Sequence, residues 1–305
     1  MTTIAEPTSA PSIRQPRTLA AADLLAAGLM TAAAVLVMSD AWKDIARIGF
    51  SDEECSYVLL APIVIGWLAW VRRDRAARQP VRRGWVGLLI MAVAWVVHGY
   101  GYVHDPVIWR AGAVLLAVGA LVTALGLDVS WTLAPALAAC VFLVPVDPTG
   151  RINLAQPLQT AAAEVTQRIC EVFAMNVDRS GNLLSINGRD VTIAEACNGI
   201  RMVLTLFMVC YVVAFTLRLG VIARAVVLIA SPLVAIVANV VRLVPTVWMF
   251  GHTSQESAER FHDISGWVMT VLAFLLLMGL CALLQDSDAT AKVVPSRLGH
   301  KGVAS

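Results

Sequence analysis

Long uninterrupted apolar runs limit the fold of this chain more than any other feature. Crossing the hydrocarbon core of a bilayer as a helix takes roughly 17–25 mostly apolar residues. Runs of that kind recur at residues 19–38, 55–71, 85–102, 107–125, 130–146, 199–217, 221–241 or somewhat beyond, and 264–284. They predict an all-α polytopic membrane protein with about eight transmembrane helices. Composition agrees, with 58% hydrophobic residues and only 14% charged ones. A soluble domain carries about a quarter charged residues, which excludes an aqueous globular fold. Small residues around the first run resemble a signal peptide. The polar leader before it and the further spans behind it favour an uncleaved first helix.

Charge placement supplies an orientation. The loop "RRDRAARQPVRR" holds Arg72, Arg73, Arg75, Arg78, Arg82 and Arg83 against one acid, Asp74, and the positive-inside rule makes such a loop cytoplasmic. Alternation then puts Arg14, Arg17, Arg218, Arg224, Lys292, Arg297 and Lys301 on that side, together with both termini. The opposite loops are acidic or mixed, as in "DAWKDIARIGFSDEE". The net charge of +2 is spread over membrane-flanking loops, so no nucleic-acid partner is expected and the lipid bilayer is the main one.

The chain reads as a disordered leader (1–16), one transmembrane domain (17–285) and a cytoplasmic tail (286–305). Its one sizeable non-spanning region is an outer lid, residues 147–196. The first part, "RINLAQPLQTAAAEVTQRICEVF", puts Leu158, Ala162, Val165, Ile169 and Val172 on a three-or-four spacing. That spacing predicts an outer-face amphipathic helix lying in the interface plane. The second part, "NLLSINGRDVTI", places Asn187-Gly188 between two short β-prone runs, which predicts a short β-hairpin between spans five and six.

Ionisable side chains inside a membrane are costly and mark functional candidates. Four lie toward the outer half: Cys197 and Arg201 at the start of span six, Arg242 late in span seven, and His262 just before span eight. Arg110, opening span four, is a weaker fifth. Each has a bland reading beside the chemical one. Cys197 can be a small packing residue, as Cys140, Cys210 and Cys281 read, or can pair with Cys55 or Cys170 in an oxidising compartment. A helix N-terminus and Arg201 at i+4 would instead favour its thiolate. Arg242, three residues after Asn239 on one face, can snorkel to headgroups, helped by Pro245 breaking the helix beyond it. His262 can be a plain loop histidine beside Asp263, and His252 competes with it in the same outer loop.

Other chemistries lack support. The histidines and Cys197 match no metal-ligand spacing, so neither metal nor cofactor is expected. No GxSxG, HExxH or GxxxxGK[ST] occurs. Cysteine, arginine and histidine remain, a set suited to thiol acyl transfer as nucleophile, charge stabiliser and proton carrier.

"AEACNGIR", "ANVVR" and "FHDISGW" resemble, in order and membrane context, the three signature blocks of the exosortase/archaeosortase family. "SYVLLAPIVIGWLAW" is similar to its second-span block, and the lid with its Gly-Asn is similar to the family's lid. The likeness runs from about Ser51 to about Leu284. It departs at Asn198, where serine is commoner, and at Cys55-Ser56-Tyr57-Val58, which lacks the usual Ser-His-Gly after the tyrosine. The resemblance implies Cys197, Arg242 and His262 as the catalytic set, with Arg201, Asn239, Glu195 and Asn198 as supporting, substrate-facing positions.

The resemblance further implies a thiol protease or transpeptidase of the bacterial cytoplasmic membrane, acting at the outer face. Its substrates would be secreted proteins with a C-terminal sorting signal: a motif such as Pro-Glu-Pro, a transmembrane helix and a basic tail. The acyl group would pass to a membrane or polysaccharide acceptor that the sequence does not identify. Two other readings stay open: a non-catalytic assembly component of an exopolysaccharide system, and an anion transporter using Arg201 and Arg242. Transport would call for charges in both halves of the membrane, and the cytoplasmic halves of the spans are nearly free of them.

Overall fold

The computed structural model describes residues 19–82, 84–192, 199–217 and 219–298, with residues 154, 158, 191–192, 199–202 and 286–298 described by backbone alone. The chain begins with α1 (Ala21–Val37), whose Ala20 amide is taken up by the Asp23 carboxylate at 3.0 Å. It turns by 84° into α2 (Ser39–Ser51). Asp40, Lys43, Asp44 and Arg47 give α2 a charged side, while Ala41, Ile45 and Gly49 form its buried face. The expected outer loop is therefore an amphipathic helix set across the end of the first span.

Arg110 finds its role here. Its Nε donates to Asp44 Oδ2 at 2.7 Å, with both side chains largely buried. It ties α2 to α5 (Pro106–Leu125) and belongs to no site with the other candidates. Packing this arginine against its carboxylate satisfies a charge that is costly in the membrane.

A short 3₁₀ turn (Glu53–Cys55) leads into α3 (Tyr57–Ala77), followed by α4 (Val86–His104). Helices α4 and α5 approach closely because Gly101 and Gly112 face the partner backbone. A Cβ on Gly101 would lie 2.1 Å from Trp109 N, and one on Gly112 would lie 2.5 Å from His98 N. Small residues at such contacts replace hydrophobic driving force with backbone packing. Trp109 Nε1 donates to His98 Nε2 at 3.0 Å and His98 Nδ1 faces the Trp109 carbonyl at 3.0 Å, which satisfies the imidazole inside the pair.

The fifth run departs from expectation. Residues 130–146 do not form one spanning helix but break into α6 (Leu127–Thr132), α7 (Ala134–Ala138) and a 3₁₀ turn (Ala139–Leu143). Pro135 sits in the first turn of α7, and Val144, which precedes Pro145, is extended, as a residue before proline tends to be. Among the described residues, five helices are long and apolar enough to cross a membrane: Glu53–Ala77, Val86–His104, Pro106–Leu125, Val221–His252 and Gln255–Gln285. Counting each of two bent helix pairs as one span raises the number to seven, against the eight expected.

The lid opens with α8 (Pro148–Val172), capped by Asp147, whose carboxylate accepts from Gly150 N at 3.2 Å. Arg151 locks its start to the end of the 3₁₀ turn. Its guanidinium pairs with Asp52 at 2.7 Å and Glu54 at 2.9 Å, and donates to the Val146 carbonyl and to Cys55 Sγ. Beyond α8 the chain forms a three-stranded antiparallel sheet in the order β1 (Val177–Ser180), β2 (Leu183–Ile186), β3 (Arg189–Thr192). The expected hairpin is β2–β3, turning at Asn187 and Gly188 with φ of 53° and 73°, the pair of positive values that a two-residue primed turn needs. Ala162, Ala163 and Cys170 of α8 pack with Val177, Leu184 and Ile186 of the sheet in one core.

Three helices complete the fold: α9 (Gly199–Thr216), α10 (Val221–His252) and α11 (Gln255–Leu298). Leu206, Cys210 and Ala214 of α9 share a core with Ala235 and Ala238 of α10 and with Ala273 and Leu277 of α11. The C-terminal end of α9 is held by arginines from two neighbours. Arg72 Nη2 donates to the Phe215 carbonyl at 2.6 Å and Arg224 Nε to the Ala214 carbonyl at 2.9 Å. Cations at a helix C-terminus meet carbonyls that lack intrahelical donors. Pro245 does not end α10, which continues to His252; a proline removes one ladder bond, and membrane helices tolerate that loss.

Candidate active site

Asn239 and Arg242 lie on one face of α10, and both are buried. Arg242 Nη2 donates to Asn239 Oδ1 at 3.0 Å, which fixes the plane of the guanidinium. The neighbouring face belongs to α11. A Cβ on Gly266 would lie 2.8 Å from Arg242 Nη1, so glycine there leaves the space that the guanidinium fills. At 6% exposure, Arg242 is turned into the protein between two helices and does not reach for headgroups.

His262 stands one helical turn before Gly266 and so shares its face of α11. Its side chain is 16% exposed, with Nδ1 3.0 Å from the carboxylate of Asp263, itself 77% exposed. The Ser265 hydroxyl donates to the His262 carbonyl at 3.0 Å, and the Thr246 hydroxyl to that of Arg242 at 2.8 Å. The antiparallel course of α10 and α11 puts Arg242 and Gly266 at one level. Arg242 comes ten residues before His252, the last of α10, and Gly266 eleven residues after Gln255, the first of α11. At 1.5 Å per residue both lie roughly 15 Å from the corner, with His262 between that level and the corner. The competitor His252 is exposed and stacked on Trp248, with ring centroids 5.0 Å apart.

Cys197, Glu195 and Asn198 lie outside the described residues, and for Arg201 only the backbone, in the first turn of α9, is described. The described chain resumes at Gly199, two residues after Cys197. The helix that follows Cys197 is in the same three-helix core as those carrying Arg242 and His262. Cys55 and Cys170 are free, fully buried thiols: one is held by Arg151 and the other packs in the lid core. Among the described residues, no three His, Cys, Asp or Glu side chains are grouped as a metal ion would need.

Two features of this region escaped the sequence reading. Gly266 lies within a quoted block, yet its role depends on a side chain 24 positions earlier. The Arg151 clamp has no local signature, since its partners Asp52, Glu54 and Cys55 come from another element.

A membrane-embedded helical bundle in which a buried arginine–asparagine pair packs against the helix that carries a partly buried histidine defines a polytopic protein with an ordered polar site. The family model described as transmembrane exosortase matches residues 42–279, and the chain belongs to that family. No curated protein and no solved structure matches it.

Proposed function

We propose that this protein is an integral membrane cysteine endopeptidase or transpeptidase that cleaves C-terminal sorting signals of secreted proteins. The observation that carries the reading is the seating of Arg242, bonded to Asn239 and pressed against the turn of α11 that holds His262. A lipid-anchoring arginine needs no such seat. In the proposed reaction the Cys197 thiolate attacks the scissile carbonyl carbon. Arg242 stabilises the negative charge that develops on its oxygen. His262 gives a proton to the leaving amine as the C–N bond breaks, which leaves a thioester on Cys197. An acceptor hydroxyl or amine, or water, then gives a proton to His262 and attacks the thioester, and the thiolate leaves.

Substrates are secreted proteins with a short motif, a transmembrane helix and a basic tail, and the site faces outward from a bacterial cytoplasmic membrane. The arginine-rich loop between α3 and α4 supports that orientation by the positive-inside rule. Fusions of alkaline phosphatase and a fluorescent protein after Arg78, Asn187 and Ser257 test it. Phosphatase activity is expected at Asn187 and Ser257 and fluorescence at Arg78; phosphatase activity at Arg78 would place the site on the wrong side.

The chemistry is tested with a co-expressed reporter bearing a Pro-Glu-Pro motif, a transmembrane helix and a basic tail. Mass spectrometry is expected to find the reporter's acyl group on Cys197. His262→Ala should slow cleavage by at least about a hundredfold, within the range of lost acid–base catalysis. His252→Ala should change it less than about twofold, since that ring is spent on Trp248. Equal effects of the two substitutions would remove His262 from the mechanism.

A further inference from the structure

The tip of the β2–β3 hairpin grips the corner between α10 and α11. Arg189 Nη1 donates to the Phe250 carbonyl at 3.1 Å and to the Thr253 carbonyl, and Asn187 Nδ2 donates to the Gly251 carbonyl at 3.2 Å. These carbonyls belong to the end of α10 and the residue after it, where the helix supplies no further donors. A cation also suits the negative end of the helix dipole. The approach is tight, because a Cβ on Gly251 would lie 2.8 Å from the Ile186 side chain. Ile186 and Leu184 pack beneath the tip against Leu243 and Val247 of α10. The hairpin is therefore fastened to α10 along one face and around its end.

Connectivity gives this fastening its consequence. Strand β3 ends at Thr192, five residues before Cys197. The gripped corner joins the helix of Arg242 to the helix of His262. We infer that Asn187 and Arg189 are positioning residues: by fastening the hairpin tip to the corner between α10 and α11, they fix where the chain leading to Cys197 departs relative to the helices of Arg242 and His262. The inference rests on the proposed role of Cys197, and neither residue touches the reacting atoms. Reaction rates fall steeply with small misplacements of the reacting groups, and a thiolate next to cations depends on their distance.

The test follows Cys197 itself, apart from turnover. Full-length protein in native membranes is alkylated with N-ethylmaleimide between about pH 6 and about pH 9, and the Cys197 peptide is quantified. The five other cysteines are buried, which separates their labelling from that of Cys197. Arg189→Met keeps length and apolar bulk but removes the donors, and Asn187→Ala removes one donor. Each should raise the midpoint of the alkylation profile by about half a unit to one unit and slow cleavage of the co-expressed reporter by about tenfold or more. Arg189→Lys, which keeps an ammonium able to reach these carbonyls, should recover most of both. Should Arg189→Met not accumulate, Asn187→Ala decides alone. A wild-type alkylation profile in the accumulating variants would overturn the positioning role, whatever the cleavage result. Normal cleavage by Cys197→Ala would instead overturn the proposed function, and a shifted profile would still report the clasp.

Discussion

Cys197→Ala and Cys197→Ser are both expected to leave the tail-bearing reporter uncleaved in the membrane, with cleavage reduced by at least about a thousandfold. Alanine removes the nucleophile. Serine keeps its shape, but a hydroxyl ionises far less readily than a thiol and needs a stronger base than the proposed thiolate mechanism calls for. Cys170 and Cys55 serve as controls with known surroundings. Cys170 packs between α8 and the sheet, and Cys55 takes a hydrogen bond from Arg151. Cys170→Ala and Cys55→Ala should each reduce abundance modestly through a small cavity, while cleavage per molecule stays at the wild-type level. Immunoblots of precursor and product, normalised to enzyme, measure both quantities. Wild-type cleavage by Cys197→Ala would reduce that cysteine to a packing residue.

Arg242→Lys should lower cleavage by at least about a hundredfold, comparable to losing one donor of an oxyanion hole, with membrane abundance preserved. Lysine keeps the charge and much of the reach, so a lipid-anchoring arginine would tolerate it. It lacks the planar fork that can hold Asn239 with one nitrogen while presenting another. The seat offers a second approach that leaves Arg242 in place. Gly266→Ala would put a methyl group 2.8 Å from Arg242 Nη1, too close for both to remain, and should reduce cleavage in parallel. The same reporter immunoblot checks both variants. Normal cleavage by Arg242→Lys would return Arg242 to a structural role.

Several features were legible in the linear chain because their causes are local. Helix α8 followed from a three-or-four apolar spacing, and the β2–β3 turn from Asn187-Gly188, whose positive φ values few other residue pairs accept. The first strand of the sheet was missed. "VDRS" carries no alternating apolar pattern, and it is a strand because β2 pairs with it. The fifth run was read as a span from its hydropathy, a measure blind to what Pro135 and Pro145 do to a backbone. Arg110 drew attention as a membrane charge, but its partner Asp44 lies 66 positions away.

By itself the sequence determined that the chain is a membrane protein with several apolar helices, that its arginines concentrate in a loop between two of them, and which residue types are candidates for chemistry. Each of these depends on side-chain transfer free energies or charge counts that add along the chain and need no neighbour in space. Only the tertiary structure decided the surroundings of equivalent candidates: Arg242 seated against Gly266 and Arg110 spent on Asp44, His262 partly buried beside Asp263 and His252 stacked on Trp248. For the two arginines those surroundings are contacts between helices, set where a missing Cβ or a matching carboxylate from a distant segment makes room for a buried charge or pairs it.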